Sequence, residues 1–185
     1  MSQIKFSKIE TKRLELRKFK ETDAEVFFQY RTNPKVALYQ SELWVDFTIE
    51  QAVEFVREQS DFELGIPDSW FQIAIELKDT RSLVGDLAIH TLPQDVNQVE
   101  IGFTLGPEYQ NKGFGIEAVR SLLGFIFDAW NRHRVIAITD VRNKRSVKLL
   151  EKIGMRKEGH FIKNAWNKGE YTDEYLFALL KEEWK

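Results

Sequence analysis

Leucine and charge alternate near the start of the chain: Leu14 and Leu16 stand against Arg13, Glu15 and Arg17. That period of two predicts a strand over residues 9–18. Thr22 and Glu25 then have the spacing of a capping box, whose side chains satisfy the free amides at a helix start. Val26, Phe27 and Tyr30 follow as the apolar face of a short helix. Thr48 and Gln51 repeat the signal before a second helix carrying Ala52, Phe55 and Val56. Three β-type runs come next, at residues 70–77, 82–91 and 96–105, separated by polar turns such as Lys78-Asp79-Thr80. Connections this short cannot hold a crossover, so the three strands are expected to run antiparallel.

Beyond residue 105 the period changes. A polar loop containing glycine leads into apolar positions Ile116, Val119, Leu122, Leu123, Ile126 and Phe127, which predict a helix over residues 115–130. Residues 135–139 read as a buried strand. Asn143 and Gly154 bracket another helix as N-cap and C-cap, and strands near residues 155–163 and 172–180 follow. The expected architecture is a mixed α/β domain. It has a largely antiparallel central sheet of about seven strands, flanking helices and one parallel strand–helix–strand unit. With 185 residues and no repeat, linker or low-complexity tract, a single domain over residues 1–185 is expected.

Composition restricts the chemistry more than the fold. The 43% apolar share is enough for a core and argues against disorder. Lys and Arg number 27 against 29 Asp and Glu, a net charge of -2, which gives no electrostatic case for nucleic-acid or membrane binding. The absence of Cys excludes disulfides, thiolate metal sites, CxxC redox chemistry and a cysteine nucleophile. His90, His133 and His160 lack metal-ligand spacing, so no metal is expected. The opening Met1-Ser2-Gln3-Ile4-Lys5-Phe6 lacks the apolar stretch of a signal peptide. Residues 122–127, among the longest apolar runs, are too short to span a bilayer. A cytoplasmic location is the expectation.

The chemistry concentrates at Gln110-Asn111-Lys112-Gly113-Phe114-Gly115, between a strand and a helix. Free amides and the dipole at a helix start favour an anion, and glycines without a Cβ let a phosphate approach the backbone. The spacing alone fits equally an ordinary loop whose glycines make a turn. Charge favours the anion: Lys112 precedes one helix, and Arg142, Lys144 and Arg145 surround the start of the next. Cations there oppose the helix dipoles, and a polyanionic ligand across both starts reverses the penalty. A dinucleotide fold fits less well. Gly113-x-Gly115-x-x-Ala118 with Asp140 matches its fingerprint, but a seven-residue loop with Pro107 replaces the tight turn. Too few residues remain for the other parallel strands, and no P-loop motif occurs.

Gln110 to Gly115 satisfies every specified position of Gln/Arg-x-x-Gly-x-Gly/Ala, and here the chain resembles the GNAT superfamily of acyl-CoA-dependent N-acetyltransferases. The resemblance covers nearly the whole chain and is nearest the RimJ/RimL-like branch. Supporting segments are Glu10-Thr11-Lys12-Arg13-Leu14-Glu15-Leu16-Arg17, Val99-Glu100-Ile101-Gly102-Phe103, and Asn143-Lys144-Arg145-Ser146 running to Glu151-Lys152-Ile153-Gly154-Met155. It implies a GNAT-like fold and acetyl-CoA as cosubstrate. By that likeness Gln110, Asn111, Lys112, Gly113, Phe114 and Gly115 hold the pyrophosphate. Phe103, Thr104 and Leu105 line the pantetheine arm, where their strand parts from its parallel neighbour. Asn143 matches a position whose side chain reaches the cofactor, a role compatible with N-capping.

The implied reaction is direct attack of a neutral amine on the acetyl thioester, because no Cys and no Gly-x-Ser-x-Gly elbow offers an acyl-enzyme nucleophile. Glu100 is the candidate base. It alternates with Val99 and Ile101 in an otherwise apolar strand, where a carboxylate needs a partner, water or a job. A structural Glu paired with a nearby cation is the competing reading. Ser146 is the candidate acid for the leaving thiolate, by likeness to the RimL-like Asn-x-x-Ser pattern; a local hydrogen bond is its plain alternative. Leu150 stands where many relatives have a general-acid Tyr, and Ala165 where the RimL-like branch has a catalytic Glu. Tyr39, Trp44 and Trp70 are read as core aromatics, although they could line an acceptor cleft.

The expected function is acetyl transfer to a primary amine, a protein or peptide N-terminal α-amine first of all, with ribosomal proteins the branch's substrate type. An α-amine of pKa about 7.8 is roughly one-seventh neutral at pH 7, and a lysine amine near 10.4 only about once in 2,500. The alternatives are a small-molecule acceptor (polyamine, amino sugar or antibiotic) and a catalytically weak acyl-CoA-binding or ribosome-associated module. A monomer or homodimer is expected.

Overall fold

A computed structural model describes residues 5–40, 44 and 46–185 of the chain; the leader expectation for residues 1–4 lies outside them. The strand predicted over residues 9–18 is in fact two strands. Thr11 donates its amide to the Leu14 carbonyl at 2.9 Å and accepts the Leu14 amide at 2.8 Å. This turns the chain between β1 (Lys8–Glu10) and β2 (Leu14–Arg17), which pair antiparallel with Ile9 opposite Leu16.

The capping box expected at Thr22 and Glu25 is displaced by one that was not foreseen. Arg17 holds the Asp23 carboxylate at 2.7 and 2.9 Å. Asp23 also accepts the Lys20 amide at 2.8 Å, setting a 3-10 turn ahead of α1 (Ala24–Arg31). A carboxylate fixed by an ion pair outcompetes a free hydroxyl for the same end of the chain. The short α2 (Pro34–Ala37) was also unforeseen, although Asn33 caps it and proline occupies its first position. The second expected box forms: Thr48 and Gln51 exchange bonds of 2.9 and 3.3 Å at the start of α3 (Ile49–Asp61).

β3 (Trp70–Leu77), β4 (Leu83–Thr91) and β5 (Gln98–Leu105) follow as antiparallel neighbours. Helix α4 (Phe114–Gly124) continues into a π-helical turn, Phe125–Ala129, rather than an unbroken helix to residue 130. Then come β6 (Arg134–Asp140), α5 (Lys144–Lys152), β7 (Arg156–Asn167) and β8 (Glu170–Leu180). The sheet order is β1-β2-β3-β4-β5-β6-β8-β7, eight strands rather than seven because the first run is split. Of the neighbouring pairs only β5 and β6 are parallel.

Alternation assigns the two faces. Leu16, Ile73, Leu87, Val99, Ala137 and Phe177 point into a core closed by Val119, Leu122 and Leu123 of α4 and Val147 and Leu150 of α5. On the other face Phe27 of α1 and Ala52 and Val56 of α3 pack over Ala74. Each such buried large side chain is worth about 1.5–3 kcal/mol. This second face is also where the sheet buries polar residues: Arg17, Gln72, Glu76, Asp86 and Thr104. Among the described residues no helix is long and apolar enough to cross a membrane.

Candidate active site

The loop after β5 is built to present amides. Gln110 is pinned from two sides: its Nε2 donates to the Leu105 carbonyl at 3.0 Å, and its Oε1 accepts from Arg145 Nη1 at 2.9 Å. Asn111 and Gly113 take positive φ, 62° and 80°, a turn that costs least at glycine. The first bond of α4 is donated by Glu117 to the Gly113 carbonyl at 3.1 Å. The amides before it at the loop–helix junction have no carbonyl in the preceding turn and face a ligand or solvent. Arg13, from the segment before β2, braces this junction. Its Nε bonds Glu117 at 2.7 Å, its Nη1 bonds the Lys112 carbonyl at 3.0 Å, and its guanidinium lies 4.4 Å from the Phe114 ring centroid.

The structure adds to one sequence expectation for this region and corrects another. A Cβ on Gly115 would stand 2.9 Å from Leu149 Cδ1, so that glycine also serves the packing of α4 on α5. Arg142 is no free anion ligand: Asp140 holds it at 2.7 Å and Glu170 at 2.6 Å. Lys144 folds back to the Val141 carbonyl at 2.7 Å. Lys112 rests 5.8 Å from the Tyr109 ring centroid, and of the cations at the start of α5 Arg145 is joined to the loop, through Gln110.

β5 and β6 stay in register only at Gln98–Arg134, Val99–Val135 and Glu100–Ile136. Beyond Glu100 they separate, so Phe103, Thr104 and Leu105 pair with β4 alone. A cavity of about 920 Å³ opens through this gap. Its walls include Ile101, Gly102, Phe103 and Thr104 of β5, Ala137 to Asp140 of β6, and Asn143, Ser146 and Leu150 of the α5 region. Asn143 caps α5 by accepting the Ser146 amide at 3.2 Å, which brings both side chains to the cavity from one turn. The far wall is aromatic, with Tyr39, Trp44, Trp70 and Trp166. The first three were set aside as core on sequence grounds. Ala165 also lines the cavity, on the hairpin of β7 and β8.

Glu100 occupies the last paired position before the gap, one residue ahead of the cavity-lining stretch. Burial, reinforced by the negative charge of Glu174, pushes its carboxyl up to about 7. Among the described residues no cation pairs with it, so the structural ion pair considered from sequence does not form. The group is therefore half-ionised near neutral pH, the condition for general-base work.

Sequence reasoning missed the polar floor of the cavity. Arg31 of α1 forms a buried ion pair with Asp86 of β4 and bonds Gln40. Gln40 in turn donates to Thr104 at 3.2 Å. Burial raises the Asp86 carboxyl, and Arg31 opposes the shift. Asp86 stands opposite Thr104 in the β4–β5 register, a relation that no local pattern records. Among the described residues no group of three or more metal-ligating side chains occurs.

Comparison with known proteins gives consistent matches. Residues 13–156 match a family model described as an acetyltransferase (GNAT) domain. The uncharacterized N-acetyltransferase YnaD of Bacillus subtilis (strain 168) is 35% identical over 176 residues, 95% of this chain and 98% of that protein. A crystal structure of a GNAT-family acetyltransferase from Bacillus anthracis superposes with a TM-score of 0.81 at 32% identity, covering 95% of this chain and 99% of that one. The [ribosomal protein uS5]-alanine N-acetyltransferase of Escherichia coli (strain K12) is 31% identical over 84 residues, 45% of this chain and 43% of that protein.

Proposed function

This chain belongs to the GNAT acetyltransferase family and is an acetyl-CoA-dependent N-acetyltransferase; we propose that its acceptor is the α-amine of a protein or peptide. The observation that carries this reading is the placement of Glu100: it is the last β5 residue paired with β6 before the gap, and among the described residues no cation pairs with it, so burial and the charge of Glu174 raise its carboxyl to about 7. A base of that strength lies within about one unit of an α-ammonium, so proton transfer costs about 1 kcal/mol. For a lysine or polyamine ammonium near 10.4 the same transfer is uphill by roughly 4–5 kcal/mol. The relative that acetylates an alanine of ribosomal protein uS5 supports the same acceptor class.

Acetyl-CoA supplies the activated acetyl group, and the chain's own residues do the rest. Gln110, Asn111, Lys112, Gly113, Phe114 and Gly115 form the pyrophosphate turn, with direct contact from the amides and structural support from Gly115. Phe103, Thr104 and Leu105, unpaired on the β6 side, offer backbone groups to the pantetheine arm, and Asn143 reaches toward it from the start of α5. Glu100 takes the proton from the amine. Ser146, at the same cavity, donates one to the departing thiolate. Leu150 and Ala165 bring no proton-transferring group to this wall, and Glu100, at the edge of the gap, and Ser146 are the pair proposed for proton transfer.

Thiol release from acetyl-CoA, measured against peptides with a free N-terminus, Nα-blocked lysine peptides, polyamines and amino sugars, tests the assignment. The free N-terminal peptides should turn over at least tenfold faster than the blocked ones. Equal or faster turnover of a polyamine or a blocked lysine peptide would overturn the acceptor class.

A further inference from the structure

Glu174 of β8 was not singled out by any sequence signal, yet it lines the cavity together with Asn143, Ser146 and Ala165. Its setting is specific. β7 bulges between Phe161 and Ala165, where four residues of one strand span two of the other. The bulge carries Asn164 over the pair, and its Nδ2 donates to Glu174 Oε2 at 2.7 Å. Bulges beside a site commonly re-aim a side chain. The second carboxylate oxygen accepts no hydrogen bond from the described residues, and the residue is half-buried on the cavity wall. A carboxylate anchored at one oxygen and open at the other, in a cavity walled by tryptophan and tyrosine, is complementary to an ammonium group.

We propose that Glu174 is the ammonium-binding group of the acceptor pocket: its open oxygen receives the protonated amine, which then gives one proton to Glu100 and attacks. One N–H bond breaks and one O–H bond forms at Glu100, the lone pair remaining on nitrogen for the thioester carbonyl. This rests on the reading of Glu100 as base. The negative charge of Glu174 also helps to hold the Glu100 proton. The other charged or titratable groups toward Glu100 are His90 opposite it on β4, Arg134 and Asp140 on β6, and the Arg31–Asp86 pair. Arg134 is bound to Glu158, and Asp140 to Arg142.

Glu174→Gln keeps the Asn164 hydrogen bond and removes the charge. In CoA-loaded protein, calorimetry should find a free N-terminal peptide bound about tenfold more weakly by the variant, the scale of a lost charged hydrogen bond. The Nα-acetylated form of that peptide should bind both proteins equally. With the charge gone, the acidic limb of kcat/KM should also move to lower pH, a shift that a merely structural role would not produce. If the peptide fails to bind wild-type protein, the acceptor class has failed rather than Glu174, and spermidine and its acetylated form replace it in the same comparison. Equal amine affinity in variant and wild type overturns the proposal, and so does the absence of binding by every amine.

Discussion

At the scale of single residues, burial sets the chemistry. Glu100 gains its basicity because the strand withdraws it from water beside another negative charge, with no cation paired to it among the described residues. Glu100→Gln should therefore lower kcat by at least a hundredfold while leaving the acetyl-CoA KM within about twofold, the usual range for a lost general base. Wild-type activity should fall as pH drops through about 7, and that limb should vanish in the variant. The same shift has a stability cost of definite sign. A carboxyl whose folded pKa exceeds its unfolded value favours folding below the unfolded pKa and loses that contribution as pH rises through the folded one. Glu100→Gln should thus raise the midpoint of thermal unfolding at pH 8, by the equivalent of about 3 kcal/mol, and have little effect near pH 4. Equal midpoints at both pH values would mean that the carboxylate is not penalised where it sits.

At the scale of elements, what was legible depended on how far apart the deciding residues lie. Thr48 and Gln51 decide their own helix start, and Asn143 caps α5 by reaching three residues ahead. Gly113 marks its turn by needing a positive φ. Thr22 misled because the competitor, Asp23, is held by Arg17 at the end of β2. Arg142 misled in part for the same reason: Asp140, two residues before it, holds it locally, and Glu170 at the start of β8 completes the pairing from a distance. Glu174 carried no signal at all, since its place depends on β8 pairing with β6 and on Asn164 of the β7 bulge reaching it. Two substitutions separate these elements by function. Thr48→Ala should cost about 1 kcal/mol in urea unfolding without altering acetyl-CoA affinity, because α3 packs on the opposite face from the binding loop. Gly113→Ala should cost a similar ~1–2 kcal/mol through its left-handed backbone, and it should also weaken acetyl-CoA binding at least fivefold. Loss of acetyl-CoA affinity in the Thr48 variant would contradict that division.

At the scale of the whole molecule, a net charge of -2 conceals three carboxylates, Asp86, Asp140 and Glu174, set into the wall of one cavity. The sheet that carries them is continuous in order but uneven in cohesion. Five strands, β1 to β5, form one antiparallel block, and β6, β8 and β7 form another. Three residue pairs join them. The core under α4 and α5 is common to both blocks, but within the sheet this junction has so few backbone pairs that local opening is expected to divide there. Amide exchange should accordingly resolve two populations, one on each side of the Glu100–Ile136 pair, each with its own opening free energy. Occupation of the gap by acetyl-CoA adds contacts to both blocks at once and should merge the two populations into one slower class. The strand separation then acts as a seam in the folding landscape, one that the enzyme's own substrate closes.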